Sequence, residues 1–464
     1  MPSEKSASSS PSDEEALPER GTTEELRRDF SLCIITFLGT IAIACSLAEI
    51  TPTWPTAGGQ YHWVHVLAPK SHKLLASWFT GWISIGGQTA LTASAAFAAG
   101  LQFQALITLN NLDSCVPARW QGMLFYWLVL VYSAAVNIWD SRVLPHTNLA
   151  SGVIHVVGFV AIMVVMGVIA PKHDARFIFV EFSNTSGWAS DGTSWLVGLL
   201  STIYPFLGYD AACHLAEEMP LPSRNVPLAV VGSVFVNGVM GLGFAIMLLF
   251  SLGDLNDLLT SPTGFPFMQL FLNITSNKAG ATVLILIVSL VAVAANAAGC
   301  TSTSRTFWAF ARDSAAPCSR LFARVDPKLQ VPVPAIIAVT VSQMLLGLLC
   351  LGNSTAFNVI LSMAILGMYA SYILPIIYMV LYGRKKLNRE QFGPFSMGTV
   401  LGPVVNTVAL GWLVVAMTFS TFPSVQPVTP QNMNYAVVVM GSWLAIGTVY
   451  FFALGRKKYV GPVL

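Results

Sequence analysis

Residues 201–214 read STIYPFLGYDAACH, and they place helix-breaking residues in the middle of an apolar segment. Pro205 removes a backbone donor and clashes with the preceding helical turn, while Gly208 tolerates an unwound backbone. Asp210 follows directly and is the only acidic residue in the middle of any apolar segment of this chain. The stretch therefore predicts a helix that is interrupted beside a carboxylate.

The side chains around this predicted break have the chemistry of a small binding site. Tyr204, Phe206 and Tyr209 would wall a pocket and gate it. Asp210 would either face an ammonium group or hold the unwound segment in place. The simpler alternative is a proline kink in which Asp210 caps the half-helix that follows.

The composition of the chain is that of a protein with many membrane spans. Of the 464 residues, 54% are hydrophobic and 10% are charged, and the mean hydropathy is +0.65. A soluble domain carries about 25% charged residues. The seven cysteines show no paired spacing, so neither a disulfide framework nor a metal site is predicted. No phosphate-binding loop, nucleophile motif or basic stripe occurs, so the sequence supports no enzyme, no cofactor and no nucleic-acid partner.

Eleven segments are long and apolar enough to cross a membrane, which takes about 20 residues each. They are residues 32–51, 76–109, 120–139, 148–170, 193–215, 228–252, 279–301, 333–352, 355–382, 399–421 and 435–455. No Lys or Arg lies inside them, and Glu49 stands at the end of the first. The second exceeds one span and is expected to be tilted or broken near Gly86 and Gly87. We predict a disordered cytoplasmic-type tail at 1–30, a transmembrane domain at 31–455 and a short cytoplasmic tail at 456–464.

The basic residues of the loops orient these spans. Alternate loops, together with the C-terminal tail, hold sixteen Lys and Arg, and the other loops hold four, so the first set is predicted to be cytoplasmic. Asn184, Asn273 and Asn353 begin the three Asn-x-Ser/Thr sequons, all on the second side, and are candidate glycosylation sites. Eleven spans then place Arg27 and Arg28 outside, against the rule that the other loops obey.

Three stretches resemble the amino acid–polyamine–organocation permeases, and most closely the fungal amino acid, GABA and choline permeases. SLAEITPTWPTAGGQYHWV at 46–64 is similar to the family's second helix and first cytoplasmic loop. PFLGYDAACHLAEEMPLPSRNVPLAV at 205–230 resembles its sixth helix, and STSRTFWAFARDSAAP at 302–317 resembles the loop after its eighth helix. The similarity runs in order from about Glu24 to Arg456.

The resemblance implies an all-α membrane bundle of the leucine-transporter type. That fold has two inverted repeats of five helices, two further helices, and a substrate site where the first helix of each repeat is interrupted. It also identifies residues 32–51 as the family's second helix, so the first is missing near Leu32 and Cys33. An omitted exon, a splice form or a degenerate gene would each explain this gap. A restored helix would make twelve spans and return the N-terminus to the cytoplasm.

The function implied is secondary active transport of an amino acid or a related amine such as GABA or choline, by alternating access and coupled to protons. The partners expected are this small molecule, protons and the lipid bilayer, and the sequence leaves the oligomeric state open. The plasma membrane is expected, with the vacuolar membrane as the alternative. Because the missing helix carries half of the site, a transport-inactive truncated form that acts as a membrane interaction partner is the alternative function.

Other polar residues within the spans have two interpretations each. Gln88 and Asn296 are candidate substrate-site residues or, alternatively, interhelical hydrogen-bonding residues. His155 is a candidate proton carrier or a structural histidine. His214, near the cytoplasmic end of its helix, is expected to be structural.

Charged residues that follow the interrupted helix are candidates for a cytoplasmic gate. Glu217 and Glu218 would pair with Arg224, or with Arg305 and Arg312 across the inner mouth. Such pairs would form in one state of the transport cycle and separate in the other. The alternative is a set of solvated loop charges.

Overall fold

The computed structural model describes residues 27–111, 116–179, 184, 186–352, 355–387, 389–430 and 432–462. Over these ranges the chain is helical and forms no strand. The first half holds α1 (Arg27–Ile50), α2 (Gln60–Leu67), α3 (Lys73–Asn110), α4 (Arg119–Ile138), α5 (Asp140–Ile169), α6 (Ala175–Phe179), α7 (Asp191–Val197), α8 (Leu199–Ile203), α9 (Ala211–His214) and α10 (Pro222–Phe250). The second half holds α11 (Leu255–Leu259), α12 (Pro266–Thr275), α13 (Lys278–Arg312), α14 (Ser319–Phe322), α15 (Val333–Gly352), α16 (Thr355–Tyr378), α17 (Arg384–Lys386), α18 (Gly398–Phe419), α19 (Ala436–Tyr450) and α20 (Arg456–Lys458).

The predicted membrane segments are confirmed as helices. Within the described ranges, ten helical segments are long and apolar enough to span a membrane, and Val333–Leu349 is a shorter apolar helix at the eighth predicted span. The seventh predicted span, residues 279–301, is longer than expected, because α13 continues beyond residue 301 to Arg312. Helix α1 begins at Arg27, so residues 27–30 of the predicted tail are helical, and residues 1–26 lie outside the described ranges.

The main core forms where α1 packs between α10, α16 and α18. Leu32, Ile43 and Leu47 of α1 are fully buried, together with Val230 of α10 and Leu413 of α18. The outward faces of the bundle are apolar too, as on α5, where many valines are exposed. A bundle that is apolar inside and outside suits a bilayer, because lipid tails replace water as the solvent.

Of the two alternatives predicted for the long second span, tilted or broken near Gly86 and Gly87, the break is wrong. The helix is continuous from Lys73 to Asn110, so this segment is a single helix that is longer than a membrane span. The glycines serve close packing instead, because a Cβ on Gly87 would lie 2.6 Å from the carbonyl carbon of Gly367 on α16. At this crossing the two helix backbones touch with no side chain between them.

A buried ion pair fixes the end of α1 to two later helices. The carboxylate of Glu49, which is fully buried, pairs with Arg384 at the start of α17. It also accepts a hydrogen bond from the backbone N–H of Met397, just before α18, at 2.9 Å. The guanidinium of Arg384 donates in addition to the carbonyl of Gly398 at 3.1 Å.

The interrupted helix lies where the sequence predicts it. Helix α8 ends at Ile203, a 3₁₀ turn covers Tyr204–Phe206, and α9 begins only at Ala211. Gly208 has φ +92°, a left-handed value that a residue with a side chain rarely adopts. The proline thus ends the first half-helix and the glycine turns the chain into the second.

Candidate functional site

Aromatic side chains line the break on several sides. The hydroxyl groups of Tyr204 and Ser94 on α3 are hydrogen-bonded at 2.8 Å. The ring of Phe206 stacks on Phe37 of α1 with centroids 6.2 Å apart. Tyr209 is buried, and its ring centroid lies 5.6 Å from that of a tyrosine on α16. The predicted wall residues therefore face three different helices across the break.

The backbone of the break is reachable from outside the bundle. Pro205 is exposed, and its carbonyl oxygen accepts a hydrogen bond from the side-chain amide of Asn237 on α10 at 3.1 Å. A Cβ on Gly208 would meet only Leu91, at 3.7 Å, so φ and not space requires glycine there.

Asp210 is buried and faces the first residue of α2. Its Oδ2 accepts a hydrogen bond from Nε2 of Gln60 at 2.7 Å and lies 3.3 Å from Nε2 of His214. It occupies the N-cap position of α9, yet its side chain makes no capping hydrogen bond there. The interpretation of Asp210 as a simple helix cap is therefore wrong, and the carboxylate instead joins the unwound segment to another part of the chain.

Gln88 and His214 extend this contact into a buried polar network. Nε2 of Gln88 lies 2.8 Å from Nε2 of His214, and Oε1 of Gln88 accepts from the hydroxyl of Thr306 on α13 at 3.0 Å. Nδ1 of His214 lies 3.0 Å from the carbonyl oxygen of Ala57. The network joins α3, α9, α13 and the α1–α2 loop, so movement of any one of them disturbs it.

Two other predicted residues lie away from this network. Asn296 donates through Nδ2 to the hydroxyl of Ser133 on α4 at 2.9 Å, which is the interhelical hydrogen bond given as its alternative. His155 is exposed on the outer surface of α5. The structure therefore brings neither residue to the break.

The predicted gate residues form two ion pairs at the end of α13. Arg312 donates to the carboxylate of Glu217 at 2.9 and 3.3 Å. Nε of Arg305, whose side chain is 3% exposed, donates to Glu218 at 2.7 Å. Among the described residues, both carboxylates pair with α13 and neither pairs with Arg224.

The electrostatics of Glu217 favour its ionised form. Burial opposes ionisation, but the hydrogen bonds from Arg312 and from the backbone N–H of Ala57 outweigh it, so the pKa of Glu217 is lowered. The carboxylate is therefore charged at neutral pH, and the ion pair with Arg312 is present.

The AGGQY loop, residues 57–61, comprises the end of the α1–α2 connection and the first two residues of α2, and it connects all of these groups. Ala57 contacts both Glu217 and His214, and Gln60 contacts Asp210. The hydroxyl of Tyr61 donates to the carboxylate of Asp313, at the end of α13, at 2.7 Å. The three stretches of sequence that carry the permease resemblance thus meet in one place.

Gly59 allows the loop to approach the interrupted helix closely. Its φ is +53° with ψ −123°, and a Cβ there would lie 2.9 Å from Cε1 of His214. Gln60, His214 and Thr306 were not predicted as site residues. All three lie in stretches that carry the permease resemblance, and His214 was expected to be structural.

The remaining sequence predictions concern glycosylation and metal binding. Asn273 is exposed and Asn184 is half-buried, whereas Asn353 lies outside the described residues. In the part of the chain that the structure describes, no three His, Cys, Asp or Glu side chains come close enough to hold a metal ion.

A membrane bundle with a helix broken at a polar site is the architecture of secondary transporters. Comparison with known proteins agrees. The sequence model of a family described as "Amino acid permease" matches residues 30–443. The choline transporter of Saccharomyces cerevisiae is 33% identical over 92% of this chain and 75% of its own length. Amino-acid permease 2 of Neurospora crassa is 31% identical over 93% of this chain and 79% of its own. Amino-acid permease BAT1 of Arabidopsis thaliana is 29% identical over 91% of this chain and 84% of its own length.

The chain therefore belongs to the amino acid permease family. It is an integral, multi-pass membrane protein that functions in transmembrane transport and is not an enzyme.

Proposed function

We propose that this protein is a secondary active transporter that carries an amino acid or a related amine by alternating access, with its substrate site at the break between α8 and α9. The observation that carries the proposal is the interrupted helix itself, because it combines an unwound backbone, an aromatic wall and a buried carboxylate. The similarity to a choline transporter and to amino acid permeases supports the same substrate class.

The break favours the cationic group that these substrates share. The helical run from Asp191 reaches the break with its carbonyl end, where the helix dipole is negative. Tyr204, Phe206 and Tyr209 add aromatic faces, which attract ammonium groups. The carboxyl group of Asp210 adds acceptor oxygens to the same region. An ammonium or quaternary ammonium group would thus be held without a further acidic side chain.

The ion pairs at the end of α13 supply the closed inner gate of this proposal. Glu217 with Arg312 and Glu218 with Arg305 join the end of the interrupted helix to α13. Their separation would free the AGGQY loop and open a path from the break to the cytoplasm. We place the protein in the plasma membrane and take protons as the coupling ion.

The test is uptake by the purified chain in liposomes, with radiolabelled amino acids, GABA and choline offered one at a time. Tyr204→Ala should raise KM for the transported compound by about fivefold to thirtyfold, since a cation–aromatic contact is worth about 1–2 kcal/mol. Tyr132→Ala, which removes an exposed tyrosine from α4, is the matched control and should leave KM unchanged. No uptake of any compound, or equal KM values, would refute the proposal.

A second form of the chain tests the missing helix. Insertion of an apolar helix with a Gly-Ser-Gly break between Leu32 and Cys33 should speed uptake, because it supplies the second interrupted helix of the fold. Equal uptake by both forms would show that this helix is dispensable. The relatives named above are a transporter and two permeases, so they give no support to the transport-inactive alternative.

A further inference from the structure

We propose that Asp210 and His214 together bind the coupled proton, and that the side-chain amide of Gln88 turns over as the proton moves between them. The inference rests on the proposed function of a proton-coupled carrier. It assigns the proton to the end of the interrupted helix and not to His155.

The geometry fixes one nitrogen of His214 and leaves the other to vary. Nδ1 lies 3.0 Å from the carbonyl oxygen of Ala57, which can only accept, so Nδ1 carries a hydrogen in every state with this contact. The protonation of His214 is therefore decided at Nε2. That atom faces Oδ2 of Asp210 at 3.3 Å and Nε2 of Gln88 at 2.8 Å.

The contact between Asp210 and His214 is favourable only when it contains a proton. A neutral imidazole with its hydrogen on Nδ1 presents a lone pair at Nε2, and an ionised carboxylate presents lone pairs too. Two acceptors would then face each other in a buried site, which is unfavourable. One added proton removes the conflict, either on the carboxyl group, which leaves His214 neutral, or on Nε2, which gives an imidazolium beside a carboxylate.

Nε2 offers one lone pair when neutral and one hydrogen when protonated, so the amide of Gln88 shares this atom with Asp210 in both arrangements. With its nitrogen toward His214 it donates to a neutral Nε2, and its oxygen accepts from the hydroxyl of Thr306 at 3.0 Å. Turned over, its oxygen accepts from a protonated Nε2, while its nitrogen donates to Thr306. The hydroxyl of Thr306 is free to accept then, since it donates to the carbonyl of Ser302 at 2.9 Å. Ser84, 3.3 Å from the amide nitrogen, can donate to the turned oxygen.

The charge of the Asp210–His214 pair depends on this one proton, because the neighbouring groups are uncharged or already paired. Tyr372 on α16, Tyr209 in the break and Cys213 on α9 face Asp210, and all three are neutral near pH 7. Gln60 and Gln88, from the α1–α2 loop and α3, carry no charge. The arginines of α13 are already paired with the carboxylates that follow α9.

The AGGQY loop connects proton binding to the gate. With the gate closed, Gln60 and Ala57 hold Asp210 and His214 in contact and keep the proton between them. When the loop leaves, both hydrogen bonds are lost, and water replaces them from the cytoplasmic side. The proton then passes to water, and the carboxylate and the neutral imidazole separate.

The test separates coupling from transport in liposomes that hold the purified protein. His214→Gln should lose accumulation driven by a pH gradient by a much larger factor than exchange of internal for external substrate, because exchange needs no net proton movement. His146→Gln, an exposed histidine of α5, should keep both activities. Gradient-driven accumulation by His214→Gln at the rate of the natural chain, or its loss in His155→Gln, would overturn the proposal.

A second variant keeps the pair intact. Gln88→Glu places an acceptor-only carboxylate at Nε2, so it should hold the proton longer and move the pH profile of transport to alkaline pH by about one unit or more. An unchanged profile would count against the role of the amide.

An infrared measurement is independent of transport. Difference spectra between about pH 5 and about pH 8, the range in which histidine changes charge, should show a carboxylic acid band in the natural chain that is absent in Asp210→Asn and shifted in His214→Gln. If the protein exchanges no substrate but this band behaves as expected, the proposed function fails and the proton site stands. If exchange occurs and His214→Gln leaves the band unchanged, the proton site fails alone.

Discussion

The ion pair between Glu49 and Arg384 should be among the most sensitive points of the fold. Arg384→Ala leaves the fully buried carboxylate of Glu49 without its cation. Breaking a buried pair on one side costs about 3–5 kcal/mol. The lower end applies here, because the hydrogen bond from Met397 survives and the side chain of Arg384 is itself 13% exposed, so water can enter. We therefore expect a loss of about 3 kcal/mol, or about a hundredfold in the unfolding equilibrium.

The assay is unfolding in detergent micelles as the fraction of sodium dodecyl sulfate rises, followed by tryptophan fluorescence and circular dichroism. Lys385→Ala is the matched control, since Lys385 is an exposed neighbour and should change stability by no more than about 0.5 kcal/mol. The double variant Glu49→Gln with Arg384→Ala should regain part of the loss, because no buried charge remains. If Arg384→Ala is as stable as Lys385→Ala, or if the double variant is no better than Arg384→Ala, the reasoning is refuted.

Three further outcomes follow from single residues. Gly59→Ala should destabilise the protein by about 1–3 kcal/mol through backbone strain, and further through the contact of the new Cβ with His214. Gly232→Ala, where a Cβ would meet open space, should not destabilise it, and equal melting temperatures of the two variants would contradict this reasoning. Burial, with the nearby cationic groups, lowers the pKa of His62 to about 4, so the unfolded chain binds more protons between pH 4 and 6.5 and stability should fall on acidification through this range. The loss from pH 7 to 5 is on the order of 2 kcal/mol and should shrink in His62→Gln; a pH dependence identical to that of the natural chain would disprove it. Asn273 is exposed, so Asn273→Gln should abolish most of the shift in gel mobility that glycosidase treatment causes, and an unchanged shift would exclude it as the main site.

The interrupted helix could be predicted because its cause is local. Pro205 and Gly208 act on their own backbone, and their effect needs no distant partner. The membrane segments were predictable for the same reason, since length and apolar composition are properties of each segment alone. Only the ends moved, as where α13 extends to Arg312.

The contacts of the site could not be predicted in the same way. Gln60 and Asp210 are far apart in the chain, as are Ala57 and His214, and their contacts depend on how the α1–α2 loop folds back onto α9. Asn296 is a second case. Its side chain would face the break at one rotation of α13 about its axis, but in the structure it faces Ser133. Composition gives a helix its place in the bilayer, but packing of all its neighbours decides which side it turns inward.

The contact of Gly87 with Gly367 has a consequence for how the bundle moves. Helices separated by side chains can slide a short way as rotamers change, and here no side chain lies between the backbones. Translation along either axis would drive a larger neighbouring residue into the opposite helix, whereas a change of crossing angle keeps the glycines together. The pair therefore acts as a pivot. Helices α3 and α16 can rock about it while their ends, one near the AGGQY loop and the other near Arg384, swing in opposite directions.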